Sequence, residues 1–393
     1  MLIREYVLRY AYQLPFPSLP PEAMEIADVS RMIELLSRLQ RKMPFLNASD
    51  AGAVARFTIA LAAVSPGQWT IDGTPRLRQR PMAPLLDVFH QWQVPITYHD
   101  RPGFLPITIN GRPQCNHSKV EMDLSHSSQF ISALILIAPR LRLPLHILFK
   151  NPPVSSPYIH MSLHQAQRYG LQYTQKANGV VLERIVPRAN PSWIVEGDWS
   201  GALFLALMPV VIPSLSITLF PLRMQSLQGD VQVVQWLRSH GLLVTKNDNT
   251  SICFSGTTSD VRNHLNYNGT PTPDAIIPLA VALTLRQVPF TIRGITHLDY
   301  KESPRLVLLC RLLRALGAIA ICSKGALEVR HFGNLPSSLH IESHNDHRIA
   351  MLAGLISLKV PQVTISRPTC TAKSFPGYWS VLRQLGWQVI RHE

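Results

Sequence analysis

The sequence predicts an α/β chain assembled from repeated α+β units. Two observations carry the prediction: a helix-then-strand phrase that recurs along the chain, and three charged clusters at the edges of apolar helices in its last third. Residues 165–170 lead into 171–174, 234–241 into 242–245, 312–317 into 318–321, and 381–386 into 387–390. Each helical run ends on a glycine (Gly170, Gly241, Gly317, Gly386), where a left-handed residue closes a helix. Arg or His in the last turn suits the negative end of the helix dipole. The β-type residues that follow read as a strand. Residues 87–93 followed by 94–98 repeat the phrase without the glycine. Ordinary α/β layering is the alternative to a true repeat.

A chain of 393 residues holds two or three domains, and an apolar fraction of 46% excludes a disordered chain. Lys and Arg exceed Asp and Glu by 38 − 24 = 14, which favours anionic partners. The basic residues are dispersed, without interleaved aromatics or zinc-finger spacing, so nucleic acid is not expected as a partner. Cys115, Cys253, Cys310, Cys322 and Cys370 are odd in number, far apart and form no Cys-x-x-Cys pair. That usage fits reduced thiols in the cytoplasm. Residues 1–12 carry Arg4, Glu5 and Arg9 and do not read as a signal peptide. Residues 199–222 carry no charge. Pro209, Pro213, Ser214 and Ser216 argue for a buried helix followed by a strand at 215–220, so no membrane is expected as a partner.

The three clusters are Lys301-Glu302-Ser303-Pro304-Arg305, Asn345-Asp346-His347-Arg348 and Cys370-Thr371-Ala372-Lys373. The first two open predicted helices and the third precedes one. Helix N-termini present unpaired N–H groups and a positive dipole end, and added Arg and Lys make such ends suited to phosphate or carboxylate. Three of them point to a small, highly anionic substrate. Upstream, Asp50-Ala51-Gly52 leads to Arg56 and an apolar helix, and Arg76, Arg78 and Arg80 share a turn. Ser127-Ser128-Gln129 starts a helix, followed by Ser155-Ser156-Pro157-Tyr158 and Glu196-Gly197-Asp198. Asp274 heads the apolar run 276–283.

Plainer readings compete with each. Asp274 could cap its helix, as could Ser127 and Ser128. Lys301 and Glu302 alone read as a solvated helix start, and Arg305 and Arg348 as surface ion pairs of little worth. His344 and His347, or His160 and His164, stand at spacings a metal could use, but no cysteine or second carboxylate pair accompanies them, so no metal is expected.

Taken together, the Arg-x-x-x-Arg-Pro turn, Ser-Ser-Gln, Pro-Asp-Ala, Lys-Glu-x-x-Arg, Asn-Asp-His-Arg and Cys-Thr-Ala-Lys-x-Phe-Pro resemble the enolpyruvyl transferases. The order is that of the 5-enolpyruvylshikimate-3-phosphate synthases (3-phosphoshikimate 1-carboxyvinyltransferases), and the resemblance runs from Asp50 to the C-terminus. It implies a two-lobed inside-out α/β barrel built from βαβαββ units, with the active site in the cleft. Residues 1–13 with 197–393 would form the C-terminal lobe and 14–196 the N-terminal lobe. The implied reaction transfers enolpyruvyl from phosphoenolpyruvate to the 5-hydroxyl of shikimate 3-phosphate, without metal or organic cofactor, in a cytoplasmic monomer. By the same resemblance, Ser127, Ser128, Gln129, Ser155, Tyr158 and Lys301 would hold shikimate 3-phosphate. Gly52, Arg80, Arg305, Arg348 and Lys373 would hold phosphoenolpyruvate. Asp274 and Glu302 would transfer protons, with Lys373 and His347 beside them. The chemistry agrees: two polyanions need several shared cations, and the reaction needs a base at the hydroxyl and an acid at the methylene.

The chain departs from the family pattern in two places. The family carries Lys-Ser, followed closely by Arg, just after its first strand. The Lys touches phosphoenolpyruvate, and the Ser and Arg touch shikimate 3-phosphate. Here residues 13–21 run almost at once into Asp28-Val29-Ser30-Arg31. That segment and a first helix read as deleted, so the first repeat unit is expected to be truncated. Lys42, beyond a helix over 29–39, is the nearest lysine. Asp50 stands where the family usually has Asn. The alternative to a working transferase is a catalytically poor or inactive homologue that keeps the fold and binds anionic ligands.

Overall fold

A computed structural model describes the chain except residues 113–117, 187, 189–194, 249, 260, 262, 324 and 391–393. The chain divides into two units, Met1–Val195 and Glu196–Glu393.

In the first unit, β1 (Phe45–Asn47), β2 (Gly67–Asp72), β3 (Ile96–Tyr98) and β4 (Ile107–Gly111) form a sheet of order β1-β2-β4-β3. β1 is parallel to β2, and β4 is antiparallel to β2 and β3. A parallel pair needs a crossover, supplied by the helix Gly52–Val64. The helix Ala83–Gln91 joins β2 to β3. β5 (Lys119–Met122), β6 (Leu145–Phe149), β7 (Leu171–Lys176) and β8 (Gly179–Ile185) repeat this plan as β5-β6-β8-β7, with helices Gln129–Leu136 and Ser156–Arg168.

In the second unit, β9 (Ser216–Leu219), β10 (Leu243–Asn247) and β11 (Ile252–Gly256) form an antiparallel sheet of order β10-β11-β9. β12 (Leu265–Asn268), β13 (Phe290–Arg293), β14 (Ala318–Ser323) and β15 (Ala326–Phe332) give a third full copy, β12-β13-β15-β14, with helices Ile276–Leu285 and Arg305–Ala315. β16 (Ser338–Ile341) and β17 (Gln362–Ile365) form a parallel pair around the helix His347–Ile356. The repeat expected from the sequence is therefore a βαβαββ unit.

Helices occupy the interior of each unit. Gly52–Val64 buries every residue except Ala53, and Ile276–Leu285 and His347–Ile356 bury all of theirs. A helix apolar on all sides has to be enclosed. Gly52–Val64 packs on Gln129–Leu136, and Ile276–Leu285 on His347–Ile356. Strands such as β5 and β12 alternate buried with exposed residues, the pattern of a sheet covered on one face. The charge-free stretch 199–222 folds as the helices Trp199–Ala206 and Met208–Val211 and the strand β9. Among the described residues no helix is long and apolar enough to cross a membrane.

Four expectations are corrected. Residues Leu2–Ala11 form a helix, so the first helix is present, and no strand precedes β1 among the described residues. A run this short does not separate strand from helix by periodicity, and the Glu5–Arg9 pair, 3.1 Å apart at i, i+4, is the helical signal. Residues 1–13 lie in the first unit and not with 197–393. Arg140 Nε donates to the Ala11 carbonyl at 2.7 Å, and the Leu2–Ala11 helix packs on Gln129–Leu136 and Ser156–Arg168. Residues 387–390 form no strand. They have no sheet partner, and Trp387 instead donates its indole N–H to Ser357 Oγ at 2.7 Å. Finally, Cys310 and Cys322 are joined by a disulfide where the sequence reading left every thiol free. The return of the Arg305–Ala315 helix into β14 brings their Cα atoms to 6.3 Å. Cys253 and Cys370 form no disulfide among the described residues, and Cys115 lies outside them.

Candidate active site

In the second unit the site is organised around Arg305, the first residue of its helix and 1% exposed. Its Nε donates to Asp346 Oδ2 at 2.7 Å and its Nη2 to Asp346 Oδ1 at 3.1 Å, a fork-to-fork pair. Nη1 donates to Asp274 Oδ1 at 2.8 Å, and Nη2 also to Glu302 Oε2 at 2.8 Å. One guanidinium thus holds three carboxylates. Further cations flank them: Lys373 Nζ is 3.2 Å from Glu302 Oε1, Arg348 Nε is 3.2 Å from Asp274 Oδ1, and Lys301 Nζ is 4.0 Å from the same oxygen.

These contacts decide between the competing sequence readings. The helix after Asp274 begins at Ile276 with Ala275 at its cap and no side-chain cap bond, so Asp274 is not a helix cap. Arg305 and Arg348 are buried, not surface ion pairs, and Glu302 is only 16% exposed. Asp346 does cap its helix, accepting from the Arg348 amide at 3.0 Å, and also receives the Ser303 hydroxyl at 2.8 Å. Among the described residues no group of three His, Cys, Asp or Glu could hold a metal ion.

Burial raises the Asp274 carboxyl, but Arg348, Lys301 and Arg305 overcome it and hold Asp274 well below the usual carboxylate range. Asp346 is likewise held low by Arg305 against its own burial. His347 is buried, and burial together with Arg348 lowers its imidazole to about 3, so it is neutral at pH 7. His297, 1% exposed with both ring nitrogens unpartnered among the described residues, is lowered to about 3 by burial and Lys301. Arg348 Nη1 is buried without a hydrogen-bond partner among the described residues.

Asp230 was missed in the sequence. It stands directly before the helix Val231–Ser239 without a side-chain cap bond, and Ser200 Oγ donates to it. Burial and the charge of Asp274 raise its carboxyl to about 6, against the Ser200 bond and Arg348. A folded value above the unfolded one means the charged form is disfavoured in the fold, so stability falls as pH rises from about 4 to about 6. Asp230→Asn is therefore expected to be more stable than wild type at pH 8, by on the order of 3 kcal/mol at most, with the gain gone at pH 3.5. Denaturant titrations at both pH values check this, and equal gains at both would refute it.

In the first unit, three helix starts carry the expected groups. Gly52 opens its helix, and a Cβ there would lie 2.5 Å from Arg80 Nη1. The missing side chain is what lets the buried Arg80 guanidinium lie against this helix end. Of the other two arginines in that turn, Arg78 is paired with Asp72 at 2.6 Å and Arg76 donates to Gln79. Ser127 Oγ, one residue before the helix cap, accepts from the Gln129 amide at 3.2 Å, and Ser128, at the cap, makes no side-chain cap bond. Ser155 adopts a left-handed conformation, φ 56°, at the start of the helix that carries Tyr158.

Arg4 was also missed. It is 9% exposed, and its Nε donates to Ser162 Oγ at 2.8 Å. Its guanidinium carbon lies 5.6 Å from the Phe57 ring and 5.8 Å from the Tyr158 ring. Ser162 in turn donates to the Tyr158 carbonyl at 2.9 Å. Burial lowers Arg4 to about 10, which leaves it charged at neutral pH, and it has no carboxylate partner among the described residues. The available signal was an arginine four residues before Leu8, on the same face of the first helix.

Comparison with known proteins fits this arrangement. The family model for EPSP synthase (3-phosphoshikimate 1-carboxyvinyltransferase) matches residues 24–382. A 3-phosphoshikimate 1-carboxyvinyltransferase from Syntrophobacter fumaroxidans is 32% identical over 338 residues, covering 86% of this chain and 78% of that protein. One from Methanosphaerula palustris is 31% identical over 345 residues, with the same coverage, 86% and 78%. Among solved structures, an EPSP synthase from Acinetobacter baumannii superposes with a TM-score of 0.65 at 19% identity, covering 87% of this chain and 79% of that one. The enolpyruvyl transferase NikO from Streptomyces tendae gives 0.63 at 13% identity, covering 98% and 93%. At such identities the structures speak for the fold alone, and the family rests on the sequence matches. The chain belongs to the EPSP synthase (3-phosphoshikimate 1-carboxyvinyltransferase) family.

Proposed function

We propose that this protein transfers the enolpyruvyl group of phosphoenolpyruvate to the 5-hydroxyl of shikimate 3-phosphate and releases inorganic phosphate. The observation that carries the reading is the Arg305 hub: two carboxylates, Asp274 and Glu302, on one buried guanidinium and ringed by Lys301, Arg348 and Lys373. Asp274 is ionised at neutral pH and serves as the base at the attacking hydroxyl. Glu302, in contact with the Lys373 ammonium, moves the proton at the enol methylene. Addition gives a tetrahedral intermediate, and loss of phosphate restores the double bond. His347 is neutral and so takes part as a hydrogen-bonding group, not as an acid.

Arg305, Arg348 and Lys373, with Gly52 and Arg80, are assigned to phosphoenolpyruvate. The first three cations hold carboxylates, so an incoming anion shares them. Ser127, Ser128, Gln129, Ser155, Tyr158 and Lys301 are assigned to shikimate 3-phosphate. Arg4 joins that set, since it is an unneutralised guanidinium beside Tyr158 on the first helix. It answers part of the expected deletion. Lys42 is exposed in a left-handed position after its helix and is given no role. The reading carries with it a cytoplasmic monomer acting on two small molecules.

Phosphate release measured with both substrates, against each alone, tests the reading. Release that requires both supports it, while none with both leaves the inactive, anion-binding homologue. Gly52→Ala is a sharper check on the phosphoenolpyruvate side. The new methyl forces the Arg80 guanidinium aside by about an ångström. KM for phosphoenolpyruvate is expected to rise roughly tenfold, with KM for shikimate 3-phosphate changed less than twofold. Equal rises in both would remove Arg80 from the phosphoenolpyruvate set.

A further inference from the structure

Arg56 lies one turn into the helix Gly52–Val64, on the face shared with Gly52, and is 3% exposed. Its Nη1 donates to Gln129 Oε1 at 2.6 Å and its Nη2 to the Pro81 carbonyl at 3.2 Å. The guanidinium carbon sits 4.8 Å from the centroid of the Phe130 ring. These hydrogen bonds reach two different elements. Gln129 opens the helix Gln129–Leu136, and Pro81 follows Arg80 in the turn whose guanidinium rests on Gly52.

The bond to Oε1 also settles which end of the Gln129 amide is free. With the oxygen engaged by Arg56, the nitrogen Nε2 points away from it and has no hydrogen-bond partner among the described residues. An amide nitrogen can only donate. Gln129 is thereby turned into a pure donor toward whatever lies beyond it, which suits the oxygens of a hydroxyl or phosphate group and would repel none of them.

We propose that Arg56 is a positioning residue with two loads. It fixes the Gln129 amide with its N–H groups toward shikimate 3-phosphate, and through Pro81 it steadies the Arg80 turn assigned to phosphoenolpyruvate. The two substrate subsites of the first unit share one support. This inference rests on the transferase reading above.

The test is steady-state kinetics on wild type, Arg56→Lys, Gln129→Ala, the double variant and Gln129→Glu, each with a melting curve. Lysine keeps the charge but lacks the planar fork that serves both acceptors at once. Arg56→Lys is expected to raise KM for each substrate roughly tenfold while kcat stays within threefold. In the Gln129→Ala background the same change should leave KM for shikimate 3-phosphate within twofold and still raise that for phosphoenolpyruvate, the non-additivity of a residue acting through another. Gln129→Glu decides the matter even if Arg56→Lys folds poorly. The glutamate pairs with Arg56 and should melt no lower than wild type, yet it presents an oxygen where substrate needs a donor. KM for shikimate 3-phosphate should rise at least about a hundredfold. Additive KM effects, a loss confined to kcat, or a Gln129→Glu variant with wild-type KM would overturn the proposal while leaving the transferase reading intact. A wild type without turnover on both substrates would sink that reading and the inference with it.

Discussion

Asp274→Asn is expected to lower kcat by about a hundred- to ten-thousandfold, the cost of removing a general base. KM for phosphoenolpyruvate should stay level or fall. Asparagine nearly matches the shape of aspartate and can still accept from Arg305 Nη1, so the hub keeps its geometry. What it loses is the charge that Arg348 Nε and Lys301 Nζ face at 3.2 and 4.0 Å. Relieved of that partner, Arg348 becomes a freer cation for the substrate anion. A structural role predicts another outcome: since no cap bond runs from Asp274 to its helix, a merely architectural residue would show near-normal kcat with a lower melting temperature. Single-turnover measurement with both substrates separates the two, and turnover within tenfold of wild type would strip Asp274 of its role.

Many of the helices, and the strands that directly follow a helix, were legible because their signals are local. Gly170, Gly241 and Gly317 adopt the positive φ that closes a helix, and β7, β10 and β14 follow them. Gly386 does the same, yet no strand follows, because a strand depends on a partner that the next few residues do not specify. The structure brings the three clusters near one another: Lys301, Arg305 and Arg348 reach Asp274, and Lys373 reaches Glu302. Asp346, Asp230 and Arg4 were not assigned. Each is a charged group whose partner is far off in the chain. Ser200 lies thirty residues from Asp230 and Ser162 lies 158 from Arg4. Asp346 and Asp230 each stand directly before a helix, and only the packed structure shows what their carboxylates face. The Cys310–Cys322 pairing is of the same kind, because it depends on the helix folding back along its strand.

Arg305→Gln is expected to remove activity and to destabilise the second unit by about 3–5 kcal/mol, the cost of breaking a buried ion pair from one side. The three carboxylates do not suffer equally. Asp274 keeps Arg348 and Lys301, and Glu302 keeps Lys373. Asp346 is fully buried, and its remaining donors are the Ser303 hydroxyl and the Arg348 amide. In wild type its carboxyl is held low in the fold, so its contribution is present above the unfolded value near 4 and is lost as pH falls. Without Arg305, burial is no longer outweighed, and the folded value rises above the unfolded one. The sign then reverses. Because Asp230, His297 and His347 titrate in both proteins, the quantity to follow is the stability deficit of the variant relative to wild type, which should shrink as pH falls from 7.5 to 5.5. Denaturant titrations at those two pH values distinguish this from simple loss of packing, which would lower both curves in parallel. Parallel curves, or a loss below 1 kcal/mol, would mean that Arg305 is not the hub that neutralises Asp346. Arg305→Lys gives the finer reading. A lysine keeps one charge but cannot bridge both oxygens of Asp346 while reaching Asp274 and Glu302, so it should recover part of the stability and little of the turnover.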